Sequence, residues 1–391
     1  MVLGVDMIRF TTAGESHGEG LFVIIEGIPA GLTINSEDID LELARRQKGY
    51  GRGQRMCIET DTVKVFSGMR HTVSLGSPIA MYIANKDFKN WTKIMSPTSV
   101  DSEVTPLLRP RPGHADLPGF MKYGVNDFRD ILERASARET AARVAAGAVC
   151  KALLKEFEIS IVSYTSQIGD VTADISSVEE CKIWHDAEIS CVRCPDAKAS
   201  EKMIQLIKKA GEKGDTLGGK VVVVTKNVPA GLGSHTQWDL KLDGRLAQSL
   251  ISIQAVKAVE FGAGTKLASL LGALSHDEIF YDVTRGFYRD TNRAGGIEGG
   301  MSNGEPIVVT CTMKAIPSLA NPLHSVNLAT KETAEAEAIR SDVCAVPAVG
   351  IVAEAAIAVE LAKALKEKFG GDSLKDMKKN VNIYKERIKV L

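Results

Sequence analysis

Short apolar, β-branched runs alternate along this chain with glycine-rich and charged segments. Runs of this length, bounded by turn-forming residues, are typical of strands in a mixed fold. On this basis we predict strands at 8–12, 21–28, 63–65, 78–84, 221–225 and 306–313.

Helical periodicity and capping residues predict several helices between these strands. Ser36 precedes two acidic residues and opens a helix that runs to about Arg46. The longest helical signal covers 133–156 and is rich in alanine, so this helix can approach a sheet or another helix closely. A last amphipathic helix is predicted at 347–369, and the lysine-rich segment 375–389 is interpreted as a solvated face.

The order of these elements bears on the fold class. Strands and helices do not follow the strict alternation of a doubly wound sheet, so the pattern favours a mixed α/β or α+β sandwich of layers. No linker, low-complexity tract or internal repeat divides the chain. We therefore expect one large domain at 7–391, and we interpret residues 1–6, which precede Met7, as an N-terminal tail or an upstream start.

Composition excludes several classes of protein. The 391 residues include 48 basic and 49 acidic side chains, a net charge of −1, so no bulk field holds the molecule on nucleic acid or on an anionic membrane. The sequence contains no apolar run long enough to span a bilayer, and its first twenty residues are too polar for a signal peptide. We read the protein as cytoplasmic, with its seven scattered cysteines as reduced thiols.

Three short motifs match known patterns weakly. The segment 14–18 fits the nucleophile elbow of serine hydrolases, but strand-like residues on both sides indicate a hairpin tip instead of a strand–helix turn. The segment 214–220 fits a phosphate-binding loop, but Val221 follows where that loop needs Ser or Thr. The dinucleotide fingerprint G-x-G-x-x-G does not occur.

A zinc site at Cys191 and Cys194 is a further possibility, with Cys181 and His185 upstream as the other ligands. The spacing of the upstream pair is not the usual partner of a single C-x-x-C motif. Free thiols are the better interpretation, and we expect no metal.

Basic residues are concentrated in a few segments. Five cations lie within 45–55 with no carboxylate among them, and glycines between them allow the backbone to wrap a small anion. A second basic turn spans 109–114, Arg134 and Arg138 open the predicted long helix, and Arg340 adds a fourth group. Few aromatic residues accompany these cations, so a small, multiply charged metabolite fits better than a nucleic acid.

Nine ordered segments together resemble chorismate synthase over nearly the whole chain. Each is weak by itself, whereas the set is highly specific. They are TAGESHG at 12–18, RRQ at 45–47, YGRG at 50–53, RPGHAD at 111–116, SARET at 136–140, VPAGLG at 228–233, SIQAVK at 252–257, GGIEGG at 295–300 and RSD at 340–342.

The resemblance implies a β-α-β sandwich, a homotetramer, and a lyase that ends the shikimate pathway. Such an enzyme removes phosphate and a ring hydrogen from 5-enolpyruvylshikimate 3-phosphate by anti 1,4-elimination, giving chorismate. Reduced FMN is required without net redox change, because an electron-rich flavin helps expel phosphate from an unactivated ring. A separate flavin reductase is a further implied partner. Whether the protein reduces its own FMN with NADPH stays open. A non-enzymatic role in binding a phosphorylated ligand or RNA is the alternative function.

The resemblance also assigns roles to residues. His17 is expected to protonate the departing phosphate, His114 to hold the reduced flavin in its required protonation state, and Asp342 to assist proton removal. The expected anion clamp consists of Arg46, Arg52, Arg55, Arg111, Arg134 and Arg340. The expected FMN contacts are Arg134, Ala135, Ser136, Gln254, Ala255, Gly299, Lys314, Ala315, Ile316, Pro317, Ser318 and Arg340.

Two positions depart from the family pattern. Ala135 replaces the first of two serines, so one hydroxyl contact to the flavin is lost, and Ala315 interrupts the segment after Lys314. Neither position carries a proposed proton-transfer group.

Overall fold

The computed structural model describes residues 7–53, 58–98, 104–176, 178–339 and 341–389. Its strands are β1 Arg9–Ala13, β2 Gly20–Glu26, β3 Val63–Val65, β4 Met69–Arg70, β5 Val73–Ser74, β6 Ile79–Ala84, β7 Ser160–Ile168, β8 Val171–Thr172, β9 Gly219–Lys226, β10 Val256–Phe261, β11 Phe280–Asp282, β12 Gly286–Tyr288, β13 Ile297–Glu298, β14 Met301–Ser302, β15 Ile307–Met313, β16 His324–Val326 and β17 Thr333–Glu335. The predicted tail at 1–6 lies outside the described residues.

Ten α-helices accompany the strands in the described ranges. They are α1 Ser36–Gln47, α2 Asp116–Tyr123, α3 Arg129–Ala135, α4 Thr140–Lys155, α5 Glu180–Ile189, α6 Ala197–Glu212, α7 Leu242–Ile251, α8 Gly272–Ser275, α9 Val346–Phe369 and α10 Leu374–Lys389.

Two antiparallel sheets and a layer of helices make up most of the molecule. The first sheet has the order β1-β2-β6-β3 and the second the order β10-β15-β9-β7-β8. Helix α4 packs against β2 and β6 of the first sheet, α9 packs against β7 and β9 of the second, and the two helices pack against each other. The chain is therefore a mixed α+β fold, and every predicted strand is present with small changes in its ends.

The two central helices approach each other very closely. A methyl group added at Gly147 of α4 would lie 2.3 Å from the Cβ of Ala355 on α9, so glycine is required at this crossing. Helix α9 is buried along nearly its whole length and on all sides. The prediction of an amphipathic helix was wrong here, because a helix packed between two layers presents no polar face to solvent.

The predicted long helix at 133–156 is interrupted. Ser136 has an extended backbone with ψ of 143°, and its hydroxyl accepts a hydrogen bond from the Arg138 N–H. Arg134 therefore lies in the last turn of α3, where a cation is favourable to the helix dipole. The prediction that Arg134 and Arg138 open one long helix was wrong, because Arg134 ends α3 and Arg138 lies in the turn before α4.

The lysine-rich segment forms helix α10. Leu374, Met377 and Val381 are buried on one side of this helix, and most of its lysines are exposed on the other. The predicted solvated face is thus one side of an amphipathic helix. In the described ranges, no helix is long and apolar enough to cross a membrane.

Candidate functional site

The first part of the site is the turn that joins β1 and β2. These strands pair in antiparallel register, so 14–19 forms the predicted hairpin tip. A side chain at Gly14, with φ of 104°, would meet the carbonyl oxygen of Gly20 at 2.2 Å, which explains the glycine. The tip presents His17, whose ring stacks on Trp91 with 3.9 Å between ring centroids.

The His17 ring is also held by a buried carboxylate. Its Nδ1 atom lies 2.8 Å and 3.0 Å from the two oxygens of Glu133, and the His17 backbone N–H donates to Glu133 Oε2 at 2.7 Å. The Glu133 side chain is 2% exposed and the His17 side chain 17% exposed. Glu133 was not predicted as a site residue, because it lies 116 residues from His17 in the chain.

Two arginines share a buried carboxylate beneath this turn. Arg138 Nη1 lies 2.7 Å from both oxygens of Asp61, and Arg46 Nη2 lies 2.9 Å from Asp61 Oδ2. The pKa of Arg46 is lowered to about 10, mainly by burial. The positive charges of Arg138 and Arg52 also lower this pKa, whereas the attraction to Asp61 raises it. From the sequence we expected an external anion to neutralise these cations. In the structure, Asp61 of the same chain neutralises them in part.

The glycine loop that follows α1 brings Arg52 to Asp342. Arg52 Nη1 lies 3.2 Å from Asp342 Oδ2, and the Gly53 N–H donates to Asp342 Oδ1 at 2.6 Å. Gly51 has φ of 85°, and a side chain there would lie 2.6 Å from Ile207 Cγ2 of α6. The loop is therefore packed tightly against its surroundings, and it places one predicted cation beside one predicted proton acceptor.

A second carboxylate organises the turn before α2. Asp116 accepts from Arg111 Nε at 2.9 Å and from Arg111 Nη2 at 3.1 Å, and its Oδ1 lies 2.5 Å from His114 Nδ1. Burial would raise the pKa of Asp116, but the hydrogen bonds from His114 and Arg111 lower it to about 2. Arg111 Nη1 also donates to Ser318 Oγ, which joins this turn to the predicted flavin segment.

Hydrogen bonds connect these groups into two clusters, and Arg52 of the second lies close enough to Arg46 of the first for its charge to help lower the pKa of Arg46. The Asn85 amide accepts from Arg138 Nε at 2.8 Å and donates to the carbonyl of Gly18 at 2.8 Å, linking the arginine pair to the His17 turn. At the other end, Ser341 Oγ donates to the carbonyl of Ser318 at 3.0 Å, linking the His114 turn to the segment of Asp342. The structure therefore brings together both predicted histidines, Asp342 and three predicted arginines.

Arg134 belongs to a neighbouring group. It donates to the carbonyls of Thr12 and Gly14 at 3.0 Å each, and the Thr12 hydroxyl donates to Glu139 Oε1 at 2.8 Å. Gln254 Nε2 lies 3.4 Å from Glu139 Oε2, whereas Gln254 Oε1 is buried and accepts no hydrogen bond from any described residue. This carbonyl oxygen is therefore a buried acceptor without a donor among the described residues.

The other predicted flavin residues follow β15 or lie in a glycine turn. Lys314 Nζ donates to the carbonyl of Gly113 at 2.6 Å, and the carbonyl of Ile316 accepts from Thr216 Oγ1 at 2.7 Å. Pro317 Cβ is 3.7 Å from the place a Gly113 Cβ would occupy. Around Gly299, with φ of 59°, a Cβ would meet nothing within 4 Å in the described structure.

The remaining predicted residues are placed as follows. Ala135 ends α3 directly before Ser136, whose hydroxyl lies 3.1 Å from that of Ser16. Ala255 has φ of 67° and its carbonyl accepts from the Lys314 N–H, and Ala315 lies directly after that lysine. Arg55 and Arg340 lie outside the described residues.

Sequence reasoning missed the partners of the predicted groups. Glu133, Asp61, Asn85 and Trp91 are each far along the chain from at least one residue that they contact, and they carry no motif signal of their own. RPGHAD at 111–116 already contained Asp116, two residues after His114, which is the one available hint.

Cysteines and cavities add little to this site. The described cysteines are free, and no cluster of three His, Cys, Asp or Glu side chains occurs in the described ranges; Cys57 lies outside them. A cavity of about 420 Å³ adjoins the His17 turn, with Glu15, Met95 and Arg129 among its lining residues. Another, of about 380 Å³, lies between α9 and α10, away from the predicted site.

Comparisons with known proteins agree with the sequence segments and with the fold. Residues 8–365 match the family described as chorismate synthase. The chain is 52% identical to the chorismate synthase of Moorella thermoacetica, covering 97% of this chain and 99% of that protein. It is 51% identical to that of Geobacter sulfurreducens, covering 98% of this chain and 100% of the relative. A crystal structure of chorismate synthase is similar with a TM-score of 0.81 and 41% identity, over 99% of this chain and 100% of that one.

Proposed function

The chain belongs to the chorismate synthase family, and from this premise we propose how its residues carry out the reaction. The protein is an enzyme, a lyase that forms chorismate in the last step of the shikimate pathway. Its substrate is 5-enolpyruvylshikimate 3-phosphate, which loses phosphate and a ring hydrogen by anti 1,4-elimination. The observation that carries the assignment of roles is that two hydrogen-bonded clusters, one with His17 and Arg46 and one with Arg52, Arg111 and His114, approach each other at Arg46 and Arg52.

Arg46, Arg52 and Arg111 form the anion clamp in this proposal. Each is fixed by a carboxylate, so its guanidinium is oriented before a substrate arrives, which lowers the entropy lost on binding. Guanidinium forks match the carboxylates and phosphate of the substrate. Arg134, Arg55 and Arg340 complete the clamp in the proposal, on the strength of the family resemblance alone.

The two histidines and Asp342 take the proton-transfer roles. His17 delivers a proton to an oxygen of the departing phosphate, which otherwise leaves as a poorer, more highly charged group. Arg52 and the Gly53 N–H hold Asp342 where it assists removal of the ring hydrogen. His114, held between Arg111 and Asp116, sets the protonation state of the cofactor.

The residues present fit reduced FMN. Gln254 offers a buried carbonyl oxygen that has no donor among the described residues, and the space beside Gly299 is open. Ser136, Ala255 and the segment 314–318 would hold the cofactor together with Arg134, and Lys314 would supply a positive charge to it. When bound, reduced flavin supplies the electron density that helps the ring expel phosphate and is restored afterwards.

Two features concern the assembly and the fold. Phe22, Ile24 and Phe66 are exposed on the first sheet, and the hairpin β11–β12 exposes further apolar side chains. Exposed apolar patches of this kind are typical of subunit interfaces. They support our proposal of a homotetramer. We also propose a cytoplasmic enzyme whose single domain, 7–391, is a β-α-β sandwich, and the packing of helices α4 and α9 between the sheets supports the sandwich.

The experiment that tests the proposed function is an anaerobic assay with dithionite-reduced FMN and the enolpyruvyl substrate. Phosphate release that requires both the reduced flavin and the protein supports the lyase. A protein that binds the substrate but releases no phosphate is instead the non-enzymatic binder of phosphorylated ligands. A parallel assay of NADPH consumption with oxidised FMN tests our proposal that a separate reductase supplies the reduced flavin.

A further inference from the structure

We propose that Glu133 is a positioning residue that fixes His17 with its proton on Nδ1, so that Nε2 is the atom that delivers the proton to phosphate. The inference rests on the proposed function of His17 and extends it to a residue in helix α3. The inference is based on three hydrogen-bond contacts between Glu133 and His17, on the burial of the Glu133 carboxylate and on the stacking of the His17 ring on Trp91.

The carboxylate of Glu133 is committed to one residue. Its hydrogen bonds, within the described part of the chain, come from the ring Nδ1 and from the backbone N–H of His17, at 2.7–3.0 Å. The side chain is 2% exposed, and a buried carboxylate is costly unless it is well paired. A carboxylate held in this way for a single imidazole indicates a role in fixing that imidazole.

The chemistry of the pair sets the tautomer. An ionised carboxylate only accepts hydrogen bonds, so the facing Nδ1 must carry a hydrogen. A neutral His17 then has its lone pair on Nε2, and a protonated His17 carries its exchangeable proton there. When that proton passes to a phosphate oxygen, its bonding pair stays on Nε2 and the Nδ1–H bond to Glu133 is kept.

The backbone fixes where the ring stands. The Ser16 N–H donates to the carbonyl of Glu133 at 3.0 Å, so one residue of α3 binds both the backbone and the side chain of the hairpin tip. Trp91 stacks on the imidazole at an interplanar angle of 23°, and this stacking limits the rotation of the ring out of its plane. Together these contacts define the plane and the edge that the ring presents.

The test combines kinetics with a direct measurement of the tautomer. In ¹⁵N-histidine-labelled protein without substrate, we expect His17, identified by the signal lost in His17→Gln, to be the Nδ1–H tautomer when neutral. In Glu133→Gln the Nε2–H tautomer should gain population, and kcat should fall by about 10- to 10³-fold with KM changed less than about threefold. Glu133→Asp, which keeps the charge, should restore part of the lost kcat.

The controls separate this inference from the proposed function. Glu367→Gln removes a surface carboxylate that pairs with Arg245 and should leave kcat unchanged. A neutral His17 found as the Nε2–H tautomer in the unaltered protein overturns the inference even if Glu133→Gln fails to fold. So does a Glu133→Gln variant with full kcat, or one with low kcat and an unchanged tautomer. An unaltered protein without lyase activity contradicts the proposed function, while the tautomer measurement still decides the role of Glu133.

Discussion

Asp61 accepts hydrogen bonds from Arg138 Nη1 on both of its carboxylate oxygens, each at 2.7 Å, in a fully buried position. The same carboxylate pairs with Arg46 at 2.9 Å. Two cations thus depend on one anion in the interior. A buried carboxylate in this position orients both arginines, and the three groups together carry one net positive charge.

Replacing Asp61 tests this dependence. Asp61→Asn leaves two buried guanidinium groups without a counter-charge, and breaking a buried pair in this way costs about 3–5 kcal/mol of folding free energy. Urea unfolding monitored by circular dichroism measures the loss. Asp239→Asn, an exposed position, is the control and should change stability by less than about 0.5 kcal/mol. Equal stability of the two variants would mean that Asp61 does not hold the arginines.

His17→Ala should lower turnover by about 10- to 10⁴-fold while substrate still binds, because general acid catalysis contributes this much. Steady-state phosphate release and a separate substrate-binding titration distinguish the two effects. The exposed His185 of α5 provides the control, and His185→Ala should have normal turnover. Near-normal turnover of His17→Ala would remove this histidine from the mechanism.

Asp116 should make the free energy of unfolding depend on pH in the acid range. Its pKa is lowered to about 2 in the folded state against an unfolded value near ~3.9, so folding favours the ionised form. The contribution, about 2–3 kcal/mol, is fully present above pH ~4 and is lost as pH falls towards 2. Urea midpoints of the wild type and of Asp116→Asn should therefore differ at pH 7 and converge at low pH. A difference that is constant from pH 7 to 2.5 would contradict the ionised pair.

Gln254 is expected to contribute to FMN binding through its buried carbonyl oxygen. Gln254→Leu removes one hydrogen-bond acceptor and should weaken reduced FMN binding about 10-fold, since one net hydrogen bond is worth about 1 kcal/mol or somewhat more in a buried site. Anaerobic fluorescence titration measures this affinity. Gln248→Leu changes the same residue type at an exposed position of α7 and is the matched control. Unchanged affinity in both variants would exclude Gln254 from the cofactor site.

The exposed hairpin β11–β12 should lie in a subunit interface. Phe287 is 60% exposed and faces solvent beside Tyr281, with 5.2 Å between their ring centroids. Phe287→Asp should therefore shift the assembly to a smaller species in analytical ultracentrifugation. Asp282→Asn, beside the turn of the hairpin, is a control that leaves the apolar patch intact, because an Asn oxygen can accept the same hydrogen bonds from the Thr284 and Arg285 N–H groups. A wild type that sediments as a monomer would contradict the proposed tetramer.

Local signals predicted much of the fold. The six predicted strands and helix α1 were correct because alternation, acidic first turns and glycine turns act over a few residues, whereas others, including β7 and β10, were not predicted. The break at Ser136 was missed because an alanine-rich run favours helix on both sides, whereas tertiary contacts of Arg138 with Asp61 and Asn85 require a different backbone there.

The site was only partly predictable for a related reason. Family segments indicated His17 and Arg111, but the groups that hold them are fixed by packing between distant segments. Glu133 lies within α3 and has no motif of its own, and Asp61 lies in a stretch without any signal. No local pattern could show that these carboxylates are buried beside cations.

The most direct test of the account measures chorismate and flavin together under strict anaerobiosis. With catalytic reduced FMN and excess 5-enolpyruvylshikimate 3-phosphate, we predict one chorismate and one phosphate per substrate consumed, many turnovers per flavin, and flavin that remains reduced. Substrate that persists unchanged, or flavin oxidised in proportion to the product, would contradict it.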